Sequence, residues 1–435
     1  MLRVVDVRGK AFDAASVNSL VPRASVDIGI AVEAVRPIIA AVAERSGAAI
    51  AEISIERDGF DPNPLWVADE EFDVALSGLS PKLRESIETA IARVGKVARA
   101  NLPHATTVSL DDGARVSQRW SPVDSVGLYV PGGKAVYPSS VVMNVVPAQV
   151  AGVKELVIAT PGQASFGGRP HPTVLATAAL LGVRRVLNIG GPAAIAALAH
   201  GLPEIGFAPV AMVTGPGNIY VAAAKRALRG RIGIDSEAGT TEILVIADET
   251  ANASFVAADL ISQAEHDEAA ASVLVTDSAY FAEAVQAEVA RQCKVTGHSE
   301  RVIQALSGQQ SAVVLVDSLS FAARFASEYA TEHLELQTRD NEAILAEVSN
   351  AGAIFVGSYS PVSLGDYLAG SNHVLPTGQQ AKFGAGLSVH TFLRAQQVIE
   401  YTEAALEQVA GLVNEFAQAE GLPAHGDAVT IRFRK

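Results

Sequence analysis

A helical pattern of apolar residues, Asp259-Leu260-Ile261-Ser262-Gln263-Ala264-Glu265-His266-Asp267-Glu268, runs into a cluster of potential ligands centred on Gln263 and His266. Residues three apart share a helix face about one turn from each other, so a Gln oxygen and a His nitrogen could close on one ion or one substrate. Taken alone, Q-x-x-H is more often a solvated helix face than a metal site. The company it keeps shifts that balance: Glu332-His333, then Gly365-Asp366-Tyr367 with Asn372-His373, then His425. Glu332-His333 by itself reads as an exposed helix end with an ordinary ion pair. The single cysteine, Cys293, excludes a disulfide framework within the chain and a thiolate-rich zinc cage, so a metal here must take N and O ligands.

One fold has to bring these clusters together. Up to about Pro122 the pattern is mostly helical: 30–45 carries apolar residues at helical spacing after Asp27-Ile28-Gly29, and 81–99 repeats it with Leu83, Ile87, Ala90, Ile91 and Val94. The residues before Ser25 read as a separate arm. From Val126 short apolar runs alternate with helices. Runs at 126–130, 155–159, 185–189 and 209–213 predict strands of a buried, largely parallel sheet, with crossover helices over 139–150, 173–181 and 193–200. A second set of strands is predicted at 243–247, 273–276, 313–316 and 354–356. Two successive β/α sets of similar size imply an α/β chain with a duplicated doubly wound domain, and ligands are then expected at the carboxyl ends of the strands. Gly-rich turns fall at such places: Val130-Pro131-Gly132-Gly133, Gly190-Gly191-Pro192 and Gly215-Pro216-Gly217-Asn218. None completes G-x-G-x-x-G, so the turns alone do not establish a dinucleotide.

Composition narrows the class. A chain of 435 residues with 49% apolar content is long enough for two or more cores, and 36 Gly with only 6% aromatic residues suits close helix-on-sheet packing. A net charge of -14 argues against a nucleic-acid partner. The first residues lack a continuous apolar stretch, and the nearest approach to a membrane span, 141–153, is broken by Asn144 and Pro147. The expectation is a soluble, cytoplasmic protein with no membrane partner.

The sequence resembles the histidinol dehydrogenase family along almost its whole length. The matching segments include Gly127-Leu128-Tyr129-Val130-Pro131-Gly132-Gly133, Tyr137-Pro138-Ser139, Gly215-Pro216-Gly217-Asn218, Gln263-Ala264-Glu265-His266 and Glu332-His333-Leu334. They continue through Gly365-Asp366-Tyr367, Gly370-Ser371-Asn372-His373, Gly386-Leu387-Ser388-Val389 and Gly421-Leu422-Pro423-Ala424-His425. So many ordered segments do not recur together by chance.

The resemblance implies oxidation of L-histidinol to L-histidine in two NAD-dependent steps through a bound aldehyde, in histidine biosynthesis. It places Zn2+ ligands at Gln263, His266, Asp366 and His425, a donor set with the right atoms and a positioning role for the metal. It makes His333 the group that accepts protons in both oxidations and Glu332 the base that activates water for the second. Substrate contacts fall on Thr241 and Glu420 as well as on Gln263, His266, His333, Asp366 and His425, with His373 nearby; NAD contacts fall on Tyr129 and Asn218. It further implies a homodimer with shared active sites, in which the C-terminal part crosses to the other chain.

With the resemblance, the chain divides into an arm at 1–25, a first α/β domain at 26–128 plus 243–387 carrying most zinc and catalytic residues, an NAD-binding α/β domain at 129–242, and a helical segment at 388–435. Both α/β domains are incomplete Rossmann-like, with small helical N- and C-terminal extensions. Two departures stand out. Gly190-Gly191-Pro192-Ala193 replaces a family Gly-Gly-Ala-Gln, removing an NAD contact that Ala193→Gln is expected to restore. Ala238-Gly239-Thr240-Thr241-Glu242 lacks a family Pro but keeps a hydroxyl at Thr241. They leave two alternatives beside the main reading: a related zinc- and NAD-dependent dehydrogenase of another small polar alcohol, and a non-catalytic ligand-binding paralogue.

Overall fold

The strands, in chain order, are β1 (Arg3–Asp6), β2 (Thr106–Asp111), β3 (Ala114–Pro122), β4 (Ser125–Tyr129), β5 (Glu155–Thr160), β6 (Val186–Asn188) and β7 (Met212–Thr214). They continue with β8 (Gly233–Ile234), β9 (Glu242–Ala247), β10 (Ala271–Thr276), β11 (Ala312–Leu315), β12 (His333–Gln337), β13 (Ala353–Val356) and β14 (Leu393–Tyr401). This computed structural model describes residues 2–11, 13–24, 28–132, 135–237 and 239–434. The expected arm boundary at Ser25, Asp27 ahead of the first long helix, Gly133 of the Pro-Gly-Gly turn and Ala238 lie outside the described residues.

The strands form two parallel sheets, β6-β5-β4-β7-β8 and β1-β11-β10-β9-β12-β13, and a small antiparallel one, β14-β3-β2. Counted from the first strand of each set, β4 and β9, both parallel sheets share one order in which the chain runs outward, returns to the centre and runs out the other way. The duplication expected from the sequence is therefore present, and each sheet carries an apolar cluster on both faces. Continuous apolar runs make the central strands: all six residues of β9, Glu-Ile-Leu-Val-Ile-Ala, are buried. Small residues let helices lie close. Half of helix Gly191–His200 is Ala, and a Cβ at Gly127 of β4 would stand 2.7 Å from Leu198 Cδ1.

Some elements differ from the sequence expectation. The region before Pro122 is not only helical, because β2 and β3 pair there and β14 extends them from the C-terminal segment, with Leu393 opposite Pro122 and Tyr401 opposite Ala114. These strands are Thr-, Ser-, Gln- and Arg-rich, and β2 is exposed throughout, so no buried face marked them. The N-terminal segment, expected as an arm, supplies β1 to the edge of the six-stranded sheet beside β11. Most consequential is β12, which was not anticipated as a strand. His333, Glu335 and Gln337 occupy one face of it and Leu334 and Leu336 the other, and all five are buried. No described helix is long and apolar enough to cross a membrane.

Candidate active site

A cavity of about 560 Å³ lies where the two parallel sheets face each other, lined among others by Tyr129, Asn218, Thr241, Glu332, His333, Asp366 and His373. The five-stranded sheet meets it at the carboxyl ends of β4 and β7, where the order of strands reverses. The six-stranded sheet meets it at the opposite ends: Thr241 precedes β9, Glu332 precedes β12 and His333 begins it. The cavity thus lies at the carboxyl ends in the first sheet, where ligands are expected, and at the amino ends in the second. A neighbouring cavity of about 740 Å³ includes Gln263 and shares Tyr137, Ser139, His266, Asp366 and Tyr367 with the first.

Glu332 and His333 are nearly inaccessible, at 6% and 5% exposure, and do not form an exposed helix end. His333 Nδ1 stands 3.1 Å from Glu242 O. A carbonyl only accepts, so Nδ1 carries the proton and Nε2 keeps the basic lone pair. Burial lowers the pKa of His333, with the Asp366 carboxylate opposing, and so keeps the ring neutral and ready to take a proton. Glu332 Oε2 accepts from Thr241 Oγ1 at 2.5 Å and from the Glu242 N–H at 3.0 Å. Burial outweighs those two bonds and pushes the Glu332 carboxyl up to about 8. The Thr241 hydroxyl also accepts from Gln263 Nε2 at 2.5 Å, so it is a link between Gln263 and Glu332.

The expected metal ligands divide into three that converge and one that does not. Gln263 sits in the last turn of helix Ala253–Ala264, and with its nitrogen given to Thr241 its carbonyl oxygen is the atom left for a cation. His266 follows that helix, 41% exposed in its side chain, with Nε2 4.0 Å from Asp366 Oδ2, which helix Val362–Tyr367 presents. Among the described residues no group of three or more His, Cys, Asp or Glu side chains assembles to hold a metal. His425, in helix Pro423–Thr430, and Glu420, which ends helix Glu403–Ala419, are both exposed and line neither cavity. The donor types suit Zn2+, and within one chain the set is three residues, one of them an amide. His373 Nδ1 donates to Asp366 O at 3.0 Å, and its Nε2 lies 3.2 Å from Ser140 Oγ.

On the other wall the groups are mostly backbone. The Tyr129 hydroxyl accepts from the Gly191 N–H at 3.1 Å, and burial pushes its pKa up to about 12, so it stays a neutral phenol. Asn218 caps helix Ile219–Leu228, its Oδ1 accepting from Tyr220 N at 3.0 Å and Val221 N at 3.2 Å, which leaves its NH2 for a ligand. The turn before it is fixed from below: buried Lys225 pairs with Asp235 and donates to Gly215 O at 3.0 Å, while Asp235 Oδ2 accepts from Gly215 N at 2.8 Å. Gly215 has φ +116°, and a Cβ there would collide with Tyr129 O. Ala193 is 3% exposed within the apolar core and lines neither cavity.

Sequence reasoning did not single out Glu242, Arg23 or the Lys225–Asp235 pair. The signal available for each was a charged residue inside or beside an apolar run, as in Glu242 ahead of Ile-Leu-Val-Ile.

A family model described as histidinol dehydrogenase matches residues 21–433. The chain is 56% identical over 434 residues to a histidinol dehydrogenase from Leifsonia xyli subsp. xyli, with 100% of each covered. It is 54% identical over 434 residues to that of Mycolicibacterium smegmatis, covering 99% of this chain and 98% of the relative. Its fold superposes on the crystal structure of histidinol dehydrogenase from Elizabethkingia anophelis with a TM-score of 0.92 over 99% of this chain and 98% of that one, at 30% identity.

Proposed function

The chain belongs to the histidinol dehydrogenase family, and from that premise we propose how its residues oxidise L-histidinol to L-histidine, the reaction of histidine biosynthesis that this oxidoreductase performs. The observation that carries the assignment is the pairing of a neutral, buried His333 with a proton-rich Glu332 on the wall of one cavity, opposite Tyr129 and Asn218.

NAD, used once in each oxidation, would be held by Tyr129, the Pro216–Asn218 turn and the start of the helix that Asn218 caps, and would supply the hydride acceptor. In the first oxidation His333 Nε2 takes the hydroxyl proton of the alcohol. The aldehyde then adds water, whose proton passes to Glu332 in its ionised form, and His333, once it has released its first proton to solvent, takes another as the hydrated aldehyde is oxidised. Thr241 holds Glu332 in place and ties it to Gln263. Bound Zn2+ supplies a fixed positive charge that orients the substrate's nitrogen donors, held by Gln263, His266, Asp366 and His425 of the partner subunit.

A homodimer accounts for the stranded C-terminal residues. Helices Glu403–Ala419 and Pro423–Thr430 pack against each other and leave Leu412, Phe416 and Leu422 exposed. The larger cavity beside Gln263 and His266 has an apolar side made of Leu83, Ile87, Val136, Val142, Val362 and Leu368. In this reading the five-stranded sheet binds NAD, the six-stranded sheet carries the chemistry, and 388–435 delivers Glu420 and His425 to the other protomer; the helical stretch 28–100, expected with the catalytic domain, shares its core with the five-stranded sheet, and β4 runs through the expected boundary at 128.

NADH release from L-histidinol, with and without a chelator, tests the reaction and its metal; zinc should be found at one per chain and be lost in His266→Ala. Mixed, co-refolded His266→Ala and His425→Ala chains test the sharing. Random pairing should restore roughly a quarter of parental activity, because each heterodimer has one site free of both defects. No recovery in a sample containing heterodimers contradicts a shared site.

A further inference from the structure

Glu242 meets both acid/base residues through its backbone. Its N–H donates to Glu332 Oε2 at 3.0 Å, and its C=O lies 3.1 Å from His333 Nδ1. One residue thus sets the direction of the carboxylate and the tautomer and tilt of the imidazole. Its side chain, 1% exposed as a residue, points the other way, into a clamp: Arg23 Nε stands 2.6 Å from Oε2, and the Gly378 N–H donates to Oε1 at 2.9 Å.

Arg23 is itself fixed on several sides. Its Nη2 donates to Tyr329 O at 2.6 Å, its Nη1 to Asn18 Oδ1 at 3.2 Å, and its guanidinium carbon lies 3.9 Å from the centre of the Tyr329 ring. An apolar side chain at Glu242 would start β9 as well, and a buried ion pair roughly breaks even against apolar packing, so stability alone does not call for this pair. What it adds is direction, since a planar guanidinium and a carboxylate permit few relative orientations.

We propose that the Arg23–Glu242 pair is the positioning device of the acid/base centre: Arg23, brought from the N-terminal segment, holds the peptide from which Glu332 and His333 take their orientation. The pair touches no substrate. It rests on the acid/base roles given above to Glu332 and His333, and it gives the segment ahead of the first long helix a part in turnover.

The test compares Arg23→Met, Arg23→Lys and Glu242→Gln in the full-length enzyme, measuring each half-reaction with L-histidinol and with the aldehyde. A displacement of about 1 Å costs on the order of 100-fold in rate, so Arg23→Met should lower kcat of both half-reactions about 10- to 100-fold. KM for substrate and NAD should stay within about threefold, with zinc content and circular dichroism as in the parent. Arg23→Lys, which keeps the charge but not the fork, should fall between. If Arg23→Met does not fold, Glu242→Gln takes its place with the same expected split, because it keeps the bond to Gly378. Unchanged kcat in a folded variant, or a rise in KM at constant kcat, overturns the proposal. Glu332→Gln, in aldehyde oxidation, and His333→Ala, in both half-reactions, run alongside: if those losses are absent the acid/base reading falls, whereas if they are present and Arg23→Met is unaffected, only the positioning role falls.

Discussion

The two parallel sheets have the same strand order, yet the cavity lies at the carboxyl ends of one and the amino ends of the other. At the carboxyl ends of β4 and β7 the chain offers turns, backbone N–H groups and a capped helix start, which suit a ligand that carries phosphates. At the amino ends of β9 and β12 it offers side chains, Thr241, Glu332 and His333, locked to neighbouring backbone. A duplicated fold has thus been used twice with different ends. In the proposed mechanism, shape recognition belongs to the half built of backbone, and proton chemistry belongs to the half built of buried side chains.

If that division is correct, damage to the two halves should look different. The largest effects belong to the side-chain half. His333→Ala should slow both half-reactions by about 10²- to 10⁴-fold, while Glu332→Gln should slow aldehyde oxidation far more than alcohol oxidation, since only the former needs activated water. With its carboxyl pushed up to about 8, Glu332 becomes the base as pH rises, so parental aldehyde oxidation should climb through that pH and the climb should vanish in Glu332→Gln. Equal losses in the two half-reactions would remove the distinction between the two residues.

The backbone half should fail through binding and stability. Lys225→Met strands a buried Asp235 carboxylate, an unpaired charge that costs about 3–5 kcal/mol, and frees Gly215 O. A lower denaturation midpoint together with a raised KM for NAD is expected, and a normal KM for NAD in folded Lys225→Met would separate the ion pair from the cofactor turn.

A third experiment asks what lies under the catalytic half. Asp259 and Glu335 share a buried space with Gln337, whose Nε2 donates to Glu335 Oε1 at 2.9 Å and stands 3.4 Å from Asp259 Oδ2. Burial raises both carboxyls, Asp259 to about 6 and Glu335 to about 9. Folded values above unfolded ones mean that this contribution to stability is complete below the ordinary carboxylate range and is lost as pH rises through the folded values. The denaturation midpoint should therefore drop toward alkaline pH, and Glu335→Gln should flatten that drop. The smallest effect concerns Ala193, where the sequence predicted that Gln would tighten NAD. The side chain is instead packed in the core, so Ala193→Gln should cost about 1–3 kcal/mol of stability by overpacking and leave NAD affinity unimproved. A tightened Kd for NAD would restore the original expectation.

Much of this was legible in the chain itself. Continuous runs such as Ile243-Leu244-Val245-Ile246 mark buried parallel strands, because a strand covered on both faces has no polar side to show. The ordered segments from Gly127 to His425 carried the family, and with it the expected roles. β12 escaped because one of its sides is His333, Glu335 and Gln337, which reads as polar although every residue is buried. The small sheet escaped for the opposite reason, since its strands are mostly polar and largely exposed, with no apolar run to mark a buried face.

Local sequence determined which stretches fold into β/α units, since burial and periodicity act within a few residues of each other. Which end of each sheet meets the cavity, that Glu332 is buried enough to hold its proton near neutrality, and that Arg23 reaches Glu242 across 219 positions were decided only in three dimensions. Those properties depend on the water and charge around a group, and the residues that exclude the water or supply the charge are brought there by the packing of distant segments.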